Sequence, residues 1–346
     1  MFRALTINNF RGIRTTIVED LSQVNLFFGK NNCGKSSVLE AIFLITGQSN
    51  PTLPFSVNTL RDYRRISESD LTLNFYNQQD GIIRITAEGD LPRSLEITTF
   101  HSQNSNISLS DLEDTVNQQI PGTYGLNLKY RLGDKYFSSR FLIPIKEGEQ
   151  AKIEIDNNYK ESIFSEYLPA SYLQVSVAKQ YEQIVADKQE TTIVNILRSI
   201  EPKIQDMHLA GNQLFVDLGM ERRLPINVLG DGIRKLLSII LCMFRCRNGV
   251  LLIDEIDNGF HHSVMPQLWK AVFMSAAINN TQVFITTHNI ESMRKMIEML
   301  HEPENINYQT MLSAYKLIKD NTDKVTSIKY QFEQMDYSIK QEMEIR

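Results

Sequence analysis

Eight residues constrain this chain more than any other stretch: Gly29-Lys30-Asn31-Asn32-Cys33-Gly34-Lys35-Ser36. Their spacing, G-x-x-x-x-G-K-[ST], is that of a phosphate-binding loop. The glycines let the backbone curl until successive N–H groups point at one set of anionic oxygens. Lys35 supplies a point charge for the β and γ phosphates, and the Ser36 hydroxyl is placed to hold Mg²⁺. Such a loop works only between a strand and a helix, because the helix N-terminus adds its partial positive charge to the anion. Both flanks are present: Val24–Phe28 is a continuous apolar run, and residues 35–45 have helical spacing that stops at Gly47. Gly29, Asn31, Asn32, Cys33, Gly34, Lys35, Ser36 and Ser37 are the candidate contacts.

Two further runs sit where the loop's chemistry needs them. Val250-Leu251-Leu252-Ile253-Asp254-Glu255 is a buried strand ending in two acids. Asp254 is placed for Mg²⁺, and Glu255 to polarise an attacking water as general base. Phe284-Ile285-Thr286-Thr287-His288 is a second apolar strand one α/β unit later, and its His288 is the candidate γ-phosphate sensor.

The rest of the pattern divides in two. Residues 1–28 predict three strands. Residues 70–156 alternate with period two in runs such as 71–76, 81–88, 94–100 and 126–132, which predicts antiparallel hairpins inserted after the first helix. Residues 176–200 predict one helix, followed by two short strands near Ile204 and Leu214. From 230 onward helix (231–245), strand (249–254), helix (263–277), strand (282–286) and helix (290–299) alternate, which predicts an α/β fold with a largely parallel sheet. The organisation expected is one head built from 1–47 and 201–346, with 48–200 as an inserted β-hairpin region and helical segment of the same head.

Composition narrows the setting. Among 346 residues, 36 Lys+Arg stand against 41 Asp+Glu, a formal charge of −5, which argues against a protein coated in basic charge for nucleic acid. Three cysteines make no disulfide framework, so a reducing cytoplasm is expected. Cys242 and Cys246 lie one helical turn apart in an apolar run and read as core thiols. The longest apolar run, 236–244, is about half the length that spans a bilayer, and the alternating first nine residues read as a strand, so no membrane partner is expected.

The three signals together resemble the ABC-type ATPases of the RecF, SMC and OLD (overcoming lysogenization defect) kind. The resemblance is carried by Ile7-Asn8-Asn9-Phe10-Arg11, by Gly29 to Ser37 with its paired asparagines, by Asp254-Glu255 and by Thr286-Thr287-His288. It implies an ABC-type head with a mixed sheet, ATP and Mg²⁺ as cofactors, and hydrolysis of ATP to ADP and phosphate. It also implies a homodimer in which the signature loop of one subunit closes on the γ-phosphate held by the other. The matching segment is Leu229-Gly230-Asp231-Gly232-Ile233-Arg234. Gly230 and Gly232 would admit backbone N–H groups and Arg234 would add charge. This segment departs from L-S-G-G-Q, with Gly230 in place of the serine and Ile233 in place of the glutamine. Asp257-Asn258 matches the loop that crosses the dimer interface, and Arg11 falls where such proteins contact nucleotide. No glutamine is placed as the family's Q-loop residue; Gln78 and Gln79 lie in an expected hairpin turn.

Absences discriminate among relatives. There is no N-K-x-D motif for guanine and no C-x-x-C zinc hook, and about 46 residues after 300 are too few for the Toprim nuclease domain of OLD nucleases. The resemblance therefore implies a stand-alone ATP switch that controls a separately encoded effector, such as a Toprim-like nuclease, in bacterial anti-phage defence. The alternative is a RecF/SMC-like clamp on duplex DNA in repair, with Arg61, Arg64, Arg65, Arg222 and Arg223 as contacts. A nucleotide-gated scaffold without turnover is the third reading, motivated by the missing signature serine.

Overall fold

The computed structural model describes residues 1–61, 63, 68–76, 81–102, 123–144, 150–170 and 177–341. Arg64, Arg65, Gln78 and Gln79 lie outside the described residues, as does the side chain of Asp231. Two sheets organise the chain, with the helix that follows the phosphate loop between them.

The first sheet is antiparallel and seven-stranded. Strand β1 (Phe2–Phe10) turns through Arg11-Gly12 into β2 (Ile13–Val18), and β1's other edge takes β4 (Ile82–Gly89). Strands β5 (Arg93–Ser102), β6 (Thr123–Leu132), β7 (Lys135–Pro144) and β8 (Lys152–Ile155) follow in order. The predicted hairpins therefore extend the N-terminal sheet. Their alternation is one-sided burial: Ile83, Ile85, Leu95, Ile97, Leu126 and Leu128 all face the core. One expected strand fails. Residues 71–76 lie mostly in a 3₁₀ helix, Glu68–Asn74, because Leu71, Asn74 and Phe75 are buried together at helical spacing. The Asn74 side-chain amide donates to the Pro54 carbonyl at 2.8 Å, and the Asn74 backbone carbonyl accepts the Arg11 N–H at 2.8 Å.

The second sheet has six strands in the order β16 (Val325–Tyr330), β15 (Leu312–Lys319), β3 (Val24–Phe28), β14 (Gln282–Thr286), β13 (Val250–Ile253), β9 (Ser165–Leu168). All pairs are parallel except β15 with β16. β3, β13 and β14 are buried at every position. That is why they read as unbroken apolar runs rather than alternations. Phe27, Leu252 and Phe284 point into one core, shared with α1 (Lys35–Thr46) and the first sheet. Leu26, Leu251 and Val283 point into the other, beneath α5 (Asp231–Arg245), α6 (Met265–Asn279) and α7 (Ile290–Leu300).

Smaller elements complete the chain: α2 (Leu53–Thr59), a three-stranded sheet of β10 (Asp206–Ala210), β11 (Gln213–Asp217) and β12 (Leu224–Pro225), and α8 (Phe332–Lys340). The single helix expected over 176–200 is two, α3 (Val177–Ala186) and α4 (Glu190–Arg198). Lys188 adopts φ 56°, and its N–H and that of Gln189 close back on Val185 and Ile184, which ends α3. Strand β9 was not anticipated. It has four residues, two of them polar, and Pro169 follows, so no periodic signal can form. It places part of 48–200 in the sheet that carries Asp254.

Cys242 on α5 and Cys246 at its C-cap are buried and make no disulfide, and burial pushes the Cys246 thiol up. Among the described residues no helix is long and apolar enough to cross a membrane.

Candidate nucleotide-binding site

The site forms at the C-terminal ends of β3, β14, β13 and β9. Parallel registers set Phe27 beside Thr286, Ile285 beside Ile253, and Ile253 beside Leu168. The residues that leave these strands therefore meet at one sheet edge, which is where open α/β sheets bind ligands.

The phosphate loop starts hard against β15. Gly29 has φ 141°, and a Cβ there would lie 2.6 Å from the Leu317 carbonyl oxygen. Gly34 has φ 100° and caps α1. Both positions therefore need glycine for backbone reasons alone. Lys35 is only 8% exposed and folds over the loop, its ammonium donating to the carbonyls of Gly29 (2.9 Å) and Lys30 (3.0 Å). Cys33 is buried beneath the loop, and burial pushes its thiol up although Lys35 pulls the other way. Asn31 and Asn32 are exposed. On the outer flank a cleft of about 490 Å³ is lined by Lys30, Asn31, Asn32, Cys33 and residues 316–319.

Asp254 is the hub. Its Oδ1 accepts from the hydroxyls of Ser36 (3.0 Å) and Thr286 (2.5 Å), and its Oδ2 from Tyr167 (3.2 Å). Thr286 Oγ1 also accepts the Glu255 N–H at 2.8 Å. Tyr167, on β9, is buried, and burial followed by the Asp254 charge pushes its phenol far up, so it stays a donor. Ser36 with Asp254 forms an all-oxygen pair suited to Mg²⁺.

Glu255 turns out of the strand at φ 48°, a conformation that L-residues adopt only where surroundings enforce it. Its Oε1 lies 3.5 Å from His288 Nδ1, and both side chains are partly open to solvent. The structure thus brings together Ser36, Asp254, Glu255 and His288.

Asp257 lies on the turn just past Glu255. It is 8% exposed and accepts from its own Thr287 hydroxyl at 2.6 Å. Gly230 is exposed at the head of α5, with open space where a side chain would be. Gly232 and Arg234 follow in the first turn of that helix.

Arg11 and Arg61 both turn toward α1. Both converge on Glu40 of α1, a carboxylate only 1% exposed: Arg11 Nε lies 2.6 Å from it, and Arg61 binds both its oxygens, at 2.7 and 3.1 Å. Arg11 also donates to Asn58 at 3.0 Å. A buried carboxylate demands such partners, so the strand-tip arginine turns inward, while Arg61 reaches Glu40 from a side chain still 45% exposed. Burial pulls Arg11 below its ordinary value; at Arg61 burial also pulls down, but the charge and hydrogen bonds of Glu40, joined by the charges of Tyr167 and Asp254, together raise it. Arg61 Nη2 also reaches Ser37 Oγ at 3.4 Å, beside the loop. No spacing in the sequence signalled Glu40 or Tyr167, because their partners lie far away along the chain.

Residues 24–294 match the family described as "AAA domain, putative AbiEii toxin, Type IV TA system". The chain belongs to this AAA family. This AAA-family chain is a P-loop ATPase. It is 25% identical over 346 residues to a Helicobacter pylori protein named ATP/GTP phosphatase, an alignment covering 91% of this chain and 92% of that one. It is 26% identical over 109 residues to the DNA replication and repair protein RecF of Ruminiclostridium cellulolyticum, covering 31% of this chain and 26% of RecF. Among solved structures, an Smc head domain with an extended coiled coil bound to the C-terminal domain of ScpA, derived from Pyrococcus furiosus, overlays with TM-score 0.49 at 8% identity. That overlay covers 98% of each chain.

Proposed function

We propose that this ATPase is an Mg²⁺-dependent switch that pairs two copies around two nucleotides and controls a separate effector. The observation that supports it most is the convergence of Ser36, Asp254, Glu255 and His288 at one sheet edge. Ser36 and Asp254 would hold Mg²⁺, which neutralises charge developing on the phosphates. Lys35 exchanges its two carbonyl partners for phosphate oxygens. Glu255 takes a proton from the attacking water, and His288, beside it, donates to the γ-phosphate. Tyr167 and Thr286 keep Asp254 oriented. The cleft lined by Lys30, Asn31 and Asn32 takes the nucleoside end. The exposed Gly230 loop closes the second copy's nucleotide, and a two-fold dimer follows from that geometry.

The toxin–antitoxin wording of the family description supports control of an effector, and anti-phage defence is the setting proposed. The name of the Helicobacter relative supports ATP and GTP as alternative substrates. The test is phosphate release from ATP and GTP with and without Mg²⁺, alongside Glu255→Gln. Turnover that persists unchanged in Glu255→Gln would falsify the assignment.

The RecF match favours a second reading, an ATP-driven clamp on duplex DNA. Arg61 is committed to Glu40, and Arg223 lies 3.7 Å from Asp217, which leaves Arg222 as the remaining described candidate. DNA affinity falling steeply with salt would support the clamp over the effector switch; no measurable DNA binding would remove it.

A further inference from the structure

Lys235 is a buried cation with no part in the chemistry above. It follows Arg234 on α5, is 9% exposed, and turns its ammonium inward. Lysines near a surface ordinarily keep the head in water while the stem packs. Here the head donates to the Asn258 carbonyl and lies 4.9 Å over the centroid of the Phe260 ring. Burial lowers its pKa, and the charges of Asp257 and Glu255 oppose that shift. The same helical turn touches Phe260 again: a Cβ on Gly232 would stand 3.7 Å from its ring. The head of α5 is therefore seated on Asn258 and Phe260, at the end of the segment that leaves β13 with Asp254, Glu255 and Asp257.

That segment is pinned on its other sides. Ile256 N–H donates to the Thr286 carbonyl at 3.1 Å, Thr287 holds Asp257, and Asn258 Nδ2 donates to the Ala170 carbonyl just past β9 at 3.0 Å. Asn258 N–H closes on the Glu255 carbonyl at 3.0 Å. The turn is thus tied to β14 and β9 through hydrogen bonds, and to α5 through one ammonium. Glu255 at φ 48° needs such support to persist.

We propose that Lys235 is a positioning residue that locks the Glu255–Phe260 turn to the head of α5, so that the exposed Gly230 loop and the hydrolytic carboxylate of the same chain move as one unit. Under the two-copy reading on which this rests, a partner's nucleotide meeting the Gly230 loop would then be felt at the chain's own Glu255. A desolvated ammonium suits the task because it is stable there only while the carbonyl and ring stay in place.

The test is hydrogen exchange on the full chain without nucleotide, paired with steady-state ATP hydrolysis. In Lys235→Met, amides of 255–260 should exchange about tenfold faster while those of 282–286 stay unchanged. Its kcat should fall about tenfold at unchanged KM, and any sigmoidal ATP dependence should flatten. Lys235→Arg, which keeps the charge and donors, should restore protection and most of kcat. Wild-type protection of 255–260 in Lys235→Met overturns the proposal, as does an Arg variant no better than Met. A wild-type protein that never pairs would sink the two-copy reading instead, while the exchange result would still decide the role of Lys235.

Discussion

Ser36 and Asp254 are separated by 218 positions in the chain and by 3.0 Å in space. One hydroxyl begins the helix after the phosphate loop; the other partner ends a strand two places along the sheet. Their meeting makes an oxygen pair for a small hard cation, and it depends on the parallel registers of β3, β14 and β13.

Asp254→Asn should keep the fold, since the amide can still accept from Thr286. Loss of the charge should lower hydrolysis by about 100-fold and weaken dependence on Mg²⁺. A titration of turnover against Mg²⁺ checks this; wild-type turnover in the variant would remove Asp254 from the metal's neighbourhood.

Glu255→Gln and His288→Ala should differ. The first removes the proposed base and should cut kcat by roughly 10² to 10⁴ while retaining nucleotide. It should also collect the protein as ATP-bound pairs, seen by light scattering after size exclusion. The second removes a γ-phosphate contact and should raise KM as well. Equal KM and kcat effects in the two variants would contradict the division of roles.

Stability should carry an acid step from Glu161. Burial alone would raise its carboxyl, but hydrogen bonds and charge from Arg93, itself fully buried, hold it below the usual range. A depressed folded pKa contributes stability above the unfolded value, and that contribution is lost as pH falls through the folded one. Denaturant midpoints should therefore drop below about pH 4.3, the ordinary Glu value. Glu161→Gln should lose about 3 kcal/mol at neutral pH by stranding Arg93, and should flatten that acid step. An unchanged slope in the variant would rule Glu161 out as its source.

Glu40→Gln should be similarly costly, about 3 kcal/mol, because it leaves Arg11 buried beside a neutral partner. It should also free Arg61, raising susceptibility of residues 53–61 to proteolysis. Replacing Arg11 and Glu40 together by Met and Leu should recover part of the stability. A double variant as unstable as the single one would show that the pair is not the cause.

Legibility differed by residue. Lys35, Ser36, Asp254 and His288 were readable because each stands at a fixed offset from a buried strand, and local pattern reports such offsets. The strands themselves were readable for the same reason: Val24–Phe28 is apolar throughout since both its faces are covered. Residues 71–76 misled because alternation there competes with a helical burial of Leu71 and Phe75, and tertiary packing won. Strand β9 was too short to show a period. Arg11 was legible only as a strand-tip arginine, and only the fold reveals the buried carboxylate it meets.

The loop Gly29–Ser36, the two acids after β13 and the alternation of hairpins and α/β units are local facts. They follow from steric limits on φ and from which faces of an element meet water, so the amino-acid order alone settles them. Which residues then become neighbours is a matter of sheet order and register. Tyr167 on Asp254, Arg61 on Glu40 and Lys235 beneath the Glu255 turn each join segments with no shared periodicity. Burial makes those partners obligatory, since a desolvated charge or hydroxyl needs a counterpart, and only the packed structure selects which one it finds.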